Sequence, residues 1–225
     1  MSSRDKILSA IREAKKTMSH IPDDPNVESS ITSQLKNITP DSYEGLRDQF
    51  KFELEKISGE FNIVKNEKEC ANSIATMFAD KEYSQFMVSG NERPLQIAEQ
   101  IIQQNDTLSF SKAVDFEYPE RKDKLASVPA AIFDATYAVA DTATLCVPFQ
   151  HIKSHLPIVL PECTVAVITP DQLIANHFEL FDRLTPDEAR NMILVTGASR
   201  TADIEKILFL GAHGPRHFVV YMLEK

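Results

Sequence analysis

Cysteine is scarce in this chain: Cys70, Cys146 and Cys163 are the only three in 225 residues, far apart and with no C-x-x-C pair. An odd, scattered set supplies no disulfide framework. It also excludes an iron–sulfur cluster held by this chain alone, because such clusters take four thiolates in compact runs. If the chain works in redox metabolism, the electrons travel elsewhere. Cationic charge is short as well: 24 Lys and Arg stand against 33 Asp and Glu, for a net charge of −9. That balance excludes an extended nucleic-acid or anionic-membrane surface, which needs clustered Lys and Arg. Long apolar runs are missing. The longest uncharged one, Thr142 to Ile152, is too short to span a bilayer, and the charged stretch Met1 to Met18 has no apolar h-region. The expectation is a cytoplasmic protein with no membrane partner. Glycine numbers only 6, and neither G-x-G-x-x-G nor G-x-x-x-x-G-K-[ST] occurs, which removes the dinucleotide and P-loop assignments.

What is present is an alternation of helical and strand periods. Ser2 or Ser3 can cap a first helix whose apolar stripe is Ile7, Leu8, Ile11, Ala14 and Met18. Residues 19–41 then carry Pro22, Pro25 and Pro40 among polar residues without a period, and read as a linker. Residues 1–41 thus form an arm that either reaches a second subunit, giving a homo-oligomer, or folds back on its own domain. From residue 42 to 225 the pattern is that of one domain. Leu46, Phe50, Leu54 and Ile57 repeat at helical spacing, and Phe61–Val64, Phe86–Ser89 and Thr107–Phe110 read as strands separated by helices at Cys70–Phe78 and Leu95–Ile102. Strands alternating with helices predict an α/β fold with a mostly parallel sheet flanked by helices. Ligands of such sheets sit outside the C-terminal strand ends, which here means the Ser89-Gly90-Asn91 turn and the residues after Phe110.

Further along, Ala135–Val147 reads as two short strands around Asp141 and Thr142. Asp141 is there either as a satisfied Asx-type turn or as a site residue, a base if burial raises its pKa. His151 and His155 lie near Cys146 and Cys163 in sequence, but Pro148 and Pro157 oppose one helix there, and the four read as packing rather than as a metal site. Thr164–Ile168 is a buried strand, and 170–184, with Leu173, Ile174, Phe178 and Phe181, has the pattern of an amphipathic helix.

The densest stretch is Thr196 to Arg216. Met192–Thr196 is of strand length, Gly197 frees the backbone to turn, and Ser199 and Thr201 are placed to cap a helix carrying Ile204, Ile207 and Leu208. A helix start with Arg200 beside it suits an anion, and His213 between Gly211 and Gly214 adds a titratable group. Three of the 6 glycines, Gly197, Gly211 and Gly214, bracket this segment. Capping and turn formation alone account for the same residues without a ligand.

The run Ser199-Arg200-Thr201-Ala202-Asp203-Ile204-Glu205 followed by Leu210-Gly211-Ala212-His213-Gly214-Pro215-Arg216, with Ala140-Asp141-Thr142-Ala143-Thr144-Leu145 upstream, resembles the signature of the lactate-utilisation protein C family, the LUD domain. The likeness covers about residues 45 to 225. Two positions depart from the family's usual pattern: Ala198 stands where it has Pro, and Ala143 where it has Gly. Alanine adopts a positive φ only at a cost. The resemblance implies the fold class shared by sugar-phosphate isomerases and coenzyme A transferases (the NagB/RpiA/CoA transferase-like class). It implies an auxiliary component of a bacterial system that oxidises L-lactate to pyruvate, with no cofactor in this chain and the iron–sulfur clusters in partner proteins. It marks Asp141, Thr142, Thr144, Ser199, Arg200, Thr201, Asp203, Glu205, His213, Gly214 and Arg216 as the ligand-binding set for a small anion. Two other readings stand beside it: a free-standing enzyme acting on a carboxylate, phosphate or coenzyme A ester, and a scaffold or regulatory subunit without a ligand site. No nucleophile with a base beside it is evident in the sequence.

Overall fold

The computed structural model describes residues 3–17, 40, 42–113, 121–149, 155–202, 208–210 and 214–224. The chain divides into Met1–Ile38 and Thr39–Lys225. In the first unit a helix, α1 (Ser3–Thr17), carries Asp5 in its first turn and exposes Ile7 and Leu8.

The second unit is built on a six-stranded sheet. Its strands are β1 (Glu60–Val64), β2 (Gln85–Ser89), β3 (Ser109–Lys112), β4 (Ala130–Asp134), β7 (Cys163–Ile168) and β12 (His217–Leu223), in the spatial order β1-β12-β7-β4-β2-β3. Every adjacent pair is parallel. The central strands read as unbroken apolar runs because both faces are covered. Along β12 the pleat sends Phe218, Val220 and Met222 to one face and Val219, Tyr221 and Leu223 to the other, into two separate cores.

On one face lie α3 (Glu67–Asp80) and α4 (Glu92–Gln104), which bury Cys70, Ile74 and Phe78, and Ile97 and Ile101. The start of α3 is fixed by Asn66, whose side chain accepts from the Glu69 amide at 3.0 Å, while Glu69 accepts from the Lys65 amide at 3.0 Å. On the other face lie α2 (Tyr43–Lys56), with Phe50 and Leu54 fully buried, and a smaller sheet. That sheet holds β5 (Tyr137–Val139), β6 (Thr144–Pro148), β8 (Leu173–Ile174) and β9 (Met192–Val195) in the order β8-β5-β6-β9. Short helices α5 (Arg121–Ala126), α6 (Leu156–Val159), α7 (His177–Arg183) and α8 (Pro186–Arg190) fill the connections. No described helix is long and apolar enough to cross a membrane.

Two expected helices are not formed as the pattern predicts. The segment 170–184 is divided: Pro170–Gln172 makes a single 3-10 turn, Leu173 and Ile174 leave it as β8 to pair with Ala138 and Val139, and only α7 is helical. Asn176 ends the extended stretch by capping α7 through the Glu179 amide at 3.0 Å. The second departure follows Ser199. Arg200–Ala202 is a strand, β10, paired antiparallel with β11 (Leu208–Leu210), so Leu208 faces a strand partner rather than a helical turn. Residues 203–207 lie outside the described residues.

Candidate functional site

The C-terminal edge of the large sheet carries a cleft of about 880 Å³. It is opened by the turn at the end of β2. Gly90 has φ +114°, and a β-carbon there would stand 1.9 Å from Asp134 Oδ1. With no side chain in the way, the Asn91 amide donates to Asp134 Oδ1 at 3.1 Å and the Asn91 side-chain amide donates to Oδ2 at 3.0 Å. This latch explains why Asn91, the residue before α4, does not cap that helix with its side chain. It also satisfies a carboxylate only 5% exposed, whose burial without donors would be costly. Gln172 clamps the neighbouring strand end: its side-chain oxygen accepts from the Thr169 amide at 2.7 Å and its nitrogen donates to the Ala135 carbonyl. Arg93 and Lys112 bring two cations to the lining, and neither has an ion-pair partner among the described residues.

A second cluster forms at the β5–β6 turn. Asp141 follows β5, and its amide donates to the Ala175 carbonyl at 3.1 Å. The hydroxyls of Thr142 and Thr144 lie 2.8 Å apart, and those of Thr144 and Thr196 also 2.8 Å. Ala143 between them takes φ +51°, so the position where the family has glycine keeps the left-handed turn in spite of the methyl group. Asp141 Oδ1 is covered and has no hydrogen-bond donor among the described residues, and His177 Nδ1 stands 3.8 Å from it. Burial pushes the Asp141 carboxyl above its ordinary value, and His177 and the Thr142 hydroxyl pull it back only in part.

Of the residues expected to bind a ligand, the structure gathers Asp141, Thr142 and Thr144, and adds Thr196. Ser199 and Gly214 meet elsewhere: the Ser199 amide donates to the Pro215 carbonyl at 2.9 Å, and a β-carbon on Gly214 would stand 2.8 Å from Ser199 Cβ. Arg216 is exposed and reaches Glu162 at 3.9 Å, a surface pair of little energetic weight. Arg200 and Thr201 are in β10, and their side chains lie outside the described residues, as do Asp203, Glu205 and His213 entirely. Arg200–Ala202, where the first turn of an anion-binding helix was expected, is a strand, and the rest of that expected helix up to residue 207 lies outside the described residues. Cys146 and Cys163 belong to different sheets, one in the β5–β6 core and one in the core under α3 and α4. His151 lies outside the described residues.

The turn at Ser89-Gly90-Asn91 is where the strand pattern places a ligand. Asp134, Arg93, Lys112 and Gln172 carry no such mark beforehand, although a carboxylate ending the wholly buried strand Ala130–Asp134 is a signal in itself.

A parallel sheet with helices on both sides and a polar cleft across its C-terminal strand ends defines an α/β protein. The chain belongs to the LUD domain family, whose profile matches residues 47–223. Among solved structures it is similar to a DUF162 family protein from Deinococcus radiodurans, with 14% identity, a TM-score of 0.60 and coverage of 82% of this chain and 99% of that one. That likeness concerns the fold. No curated protein matches the chain.

Proposed function

We propose that this protein is a cytoplasmic auxiliary component of a lactate-utilisation system, which oxidises L-lactate to pyruvate with separate iron–sulfur partner proteins, and that it binds an anionic ligand. The association of the LUD domain with lactate utilisation supports the first half. The single observation behind the second is the cleft at the sheet edge, with Arg93 and Lys112 in its lining and neither in an ion pair among the described residues. An auxiliary role also agrees with the three thiols. Burial pushes each of them up to about 12, so at neutral pH they are neutral, poor metal ligands.

The test is reconstitution. The iron–sulfur proteins of the system, assayed for L-lactate oxidation with and without this chain, are expected to lose most of their activity in its absence and to co-elute with it. Equal activity without the chain and no co-elution would remove the auxiliary role.

A further inference from the structure

We propose that the sheet-edge cleft takes a short peptide of two or three residues by its charged ends, with the carboxylate on Arg93 and Lys112 and the ammonium group on the carboxylates opposite. This rests on the anion-binding half of the function above and makes the anionic group one end of a zwitterion.

Charge is the first argument. The lining holds three carboxylates, Glu67, Glu92 and Asp134, and two cations, Arg93 and Lys112. Asp134 is latched by Asn91, but none of the other four forms an ion pair among the described residues. Glu67 and Arg93 are half-buried, and a charge that loses part of its water gains from an opposite partner. Opposite charges that share one space without closing on each other leave both signs for a ligand to match. A ligand with negative charge alone would meet the excess of carboxylates. A zwitterion instead brings an ammonium group with three donors to the acids and a planar carboxylate to the guanidinium fork.

Position is the second. Lys112 ends β3, and Glu67 opens α3, the helix that follows β1; β3 and β1 are the two opposite edges of the sheet. The acid end and the basic end of the cleft are therefore set by elements from opposite sides of the fold. Arg93, just after β2, and Asp134, ending β4, lie between them. From β3 through β2 to β4 are two steps of about 4.8 Å, roughly 10 Å in all. An extended peptide spans about 3.3–3.6 Å per residue, so two or three residues reach that far and a single amino acid does not.

The groups between the ends agree. Gln96 has no hydrogen bond among the described residues and offers an amide donor and an acceptor, the two needs of a peptide bond. Among the described residues the lining has no aromatic ring and a single apolar side chain, Leu95, which suits a peptide backbone rather than a flat base.

Calorimetric titration of the full chain with trialanine, N-acetyl-trialanine, trialanine amide, alanine and L-lactate tests this. The expected result is saturable binding of trialanine about tenfold or more tighter than either the acetylated form, which lacks the ammonium group, or the amide, which lacks the carboxylate. Alanine and lactate should be weaker still. Glu67→Gln is expected to weaken trialanine about tenfold and leave the acetylated form unchanged, whereas Lys112→Gln should weaken both, each with unchanged melting temperature. Acetylated peptide or lactate binding as tightly as trialanine would overturn the zwitterion while leaving anion binding in place. Alanine binding as tightly would overturn the peptide length. The amide binding as tightly, or no binding by any of the five, would overturn both the proposal and the anion site. Trialanine binding unaffected by the two variants would move the ligand out of this cleft and overturn the proposal.

Discussion

Gly90 leaves the space that Asp134 occupies: a methyl group on Gly90 would overlap Asp134 Oδ1. The same glycine has φ +114°, a conformation that L side chains rarely adopt. Gly90→Ala is expected to break the Asn91 latch and to destabilise the protein by about 2 kcal/mol or more, from backbone strain and a buried carboxylate losing donors. Urea denaturation measures it. A change under about 0.5 kcal/mol would show that the turn rearranges freely.

Asp141 sets a pH dependence. Its folded-state pKa lies above the ordinary carboxylate value, so its protonated form is the one favoured by folding. The stability it contributes is complete below the ordinary value and is lost as pH rises through the raised one. Asp141→Asn, uncharged throughout, is expected to gain melting temperature relative to wild type as pH increases from acid to neutral. His177→Gln removes the opposing charge and should widen that difference. A gap that narrows toward neutral pH would contradict the sign.

Ala143 offers a third measurement. Its left-handed conformation costs an alanine roughly 1–2 kcal/mol. Ala143→Gly relieves this, but loses a buried methyl group worth about 0.8 kcal/mol and adds about 0.5–1 kcal/mol of unfolded-state freedom. Stability should therefore stay within about 0.5 kcal/mol of wild type, as the two sides cancel. Ala138→Gly, in the equally buried β5 without a positive φ, has only the losses and should cost about 1.5 kcal/mol.

Native protein is expected to react slowly with a thiol reagent such as Ellman's, because burial pushes Cys70, Cys146 and Cys163 up to about 12. In denaturant three thiols should appear per chain. A cysteine that reacts within seconds in the folded state would show an exposed or activated thiol.

Most of the large sheet was legible because β1, β2, β3 and β7 are short apolar runs set between helical periods, while β4 (Ala130–Asp134) was not read as a strand. Topology alone marked the end of β2 as the expected ligand position. The second cluster was half legible: Asp141 and Thr142 stand out between buried strands, while Thr196 joins them only through the pairing of β6 with β9. The segment after Ser199 misled at Arg200–Ala202 and at Leu208, because helical spacing of apolar residues does not register the pairing of those residues as two strands. Leu173 and Ile174 misled for the opposite reason: their pairing with β5 is a tertiary gain that local pattern does not register. Asp134 escaped notice because its meaning depends on Gly90, distant in sequence and adjacent only across the sheet.

The position of β12 bears on how the molecule is made. This strand, from the far end of the domain, is inserted between β1 and β7, so β1 has no neighbour in the sheet until β12 arrives. During synthesis β1 and its helices leave the ribosome with no strand partner for β1 in this sheet, and the sheet is completed only when nearly the whole domain has been translated. Pairing elements so distant along the chain is slow. Until it is complete, the unpaired edge is an opening that a chaperone or another nascent chain can occupy.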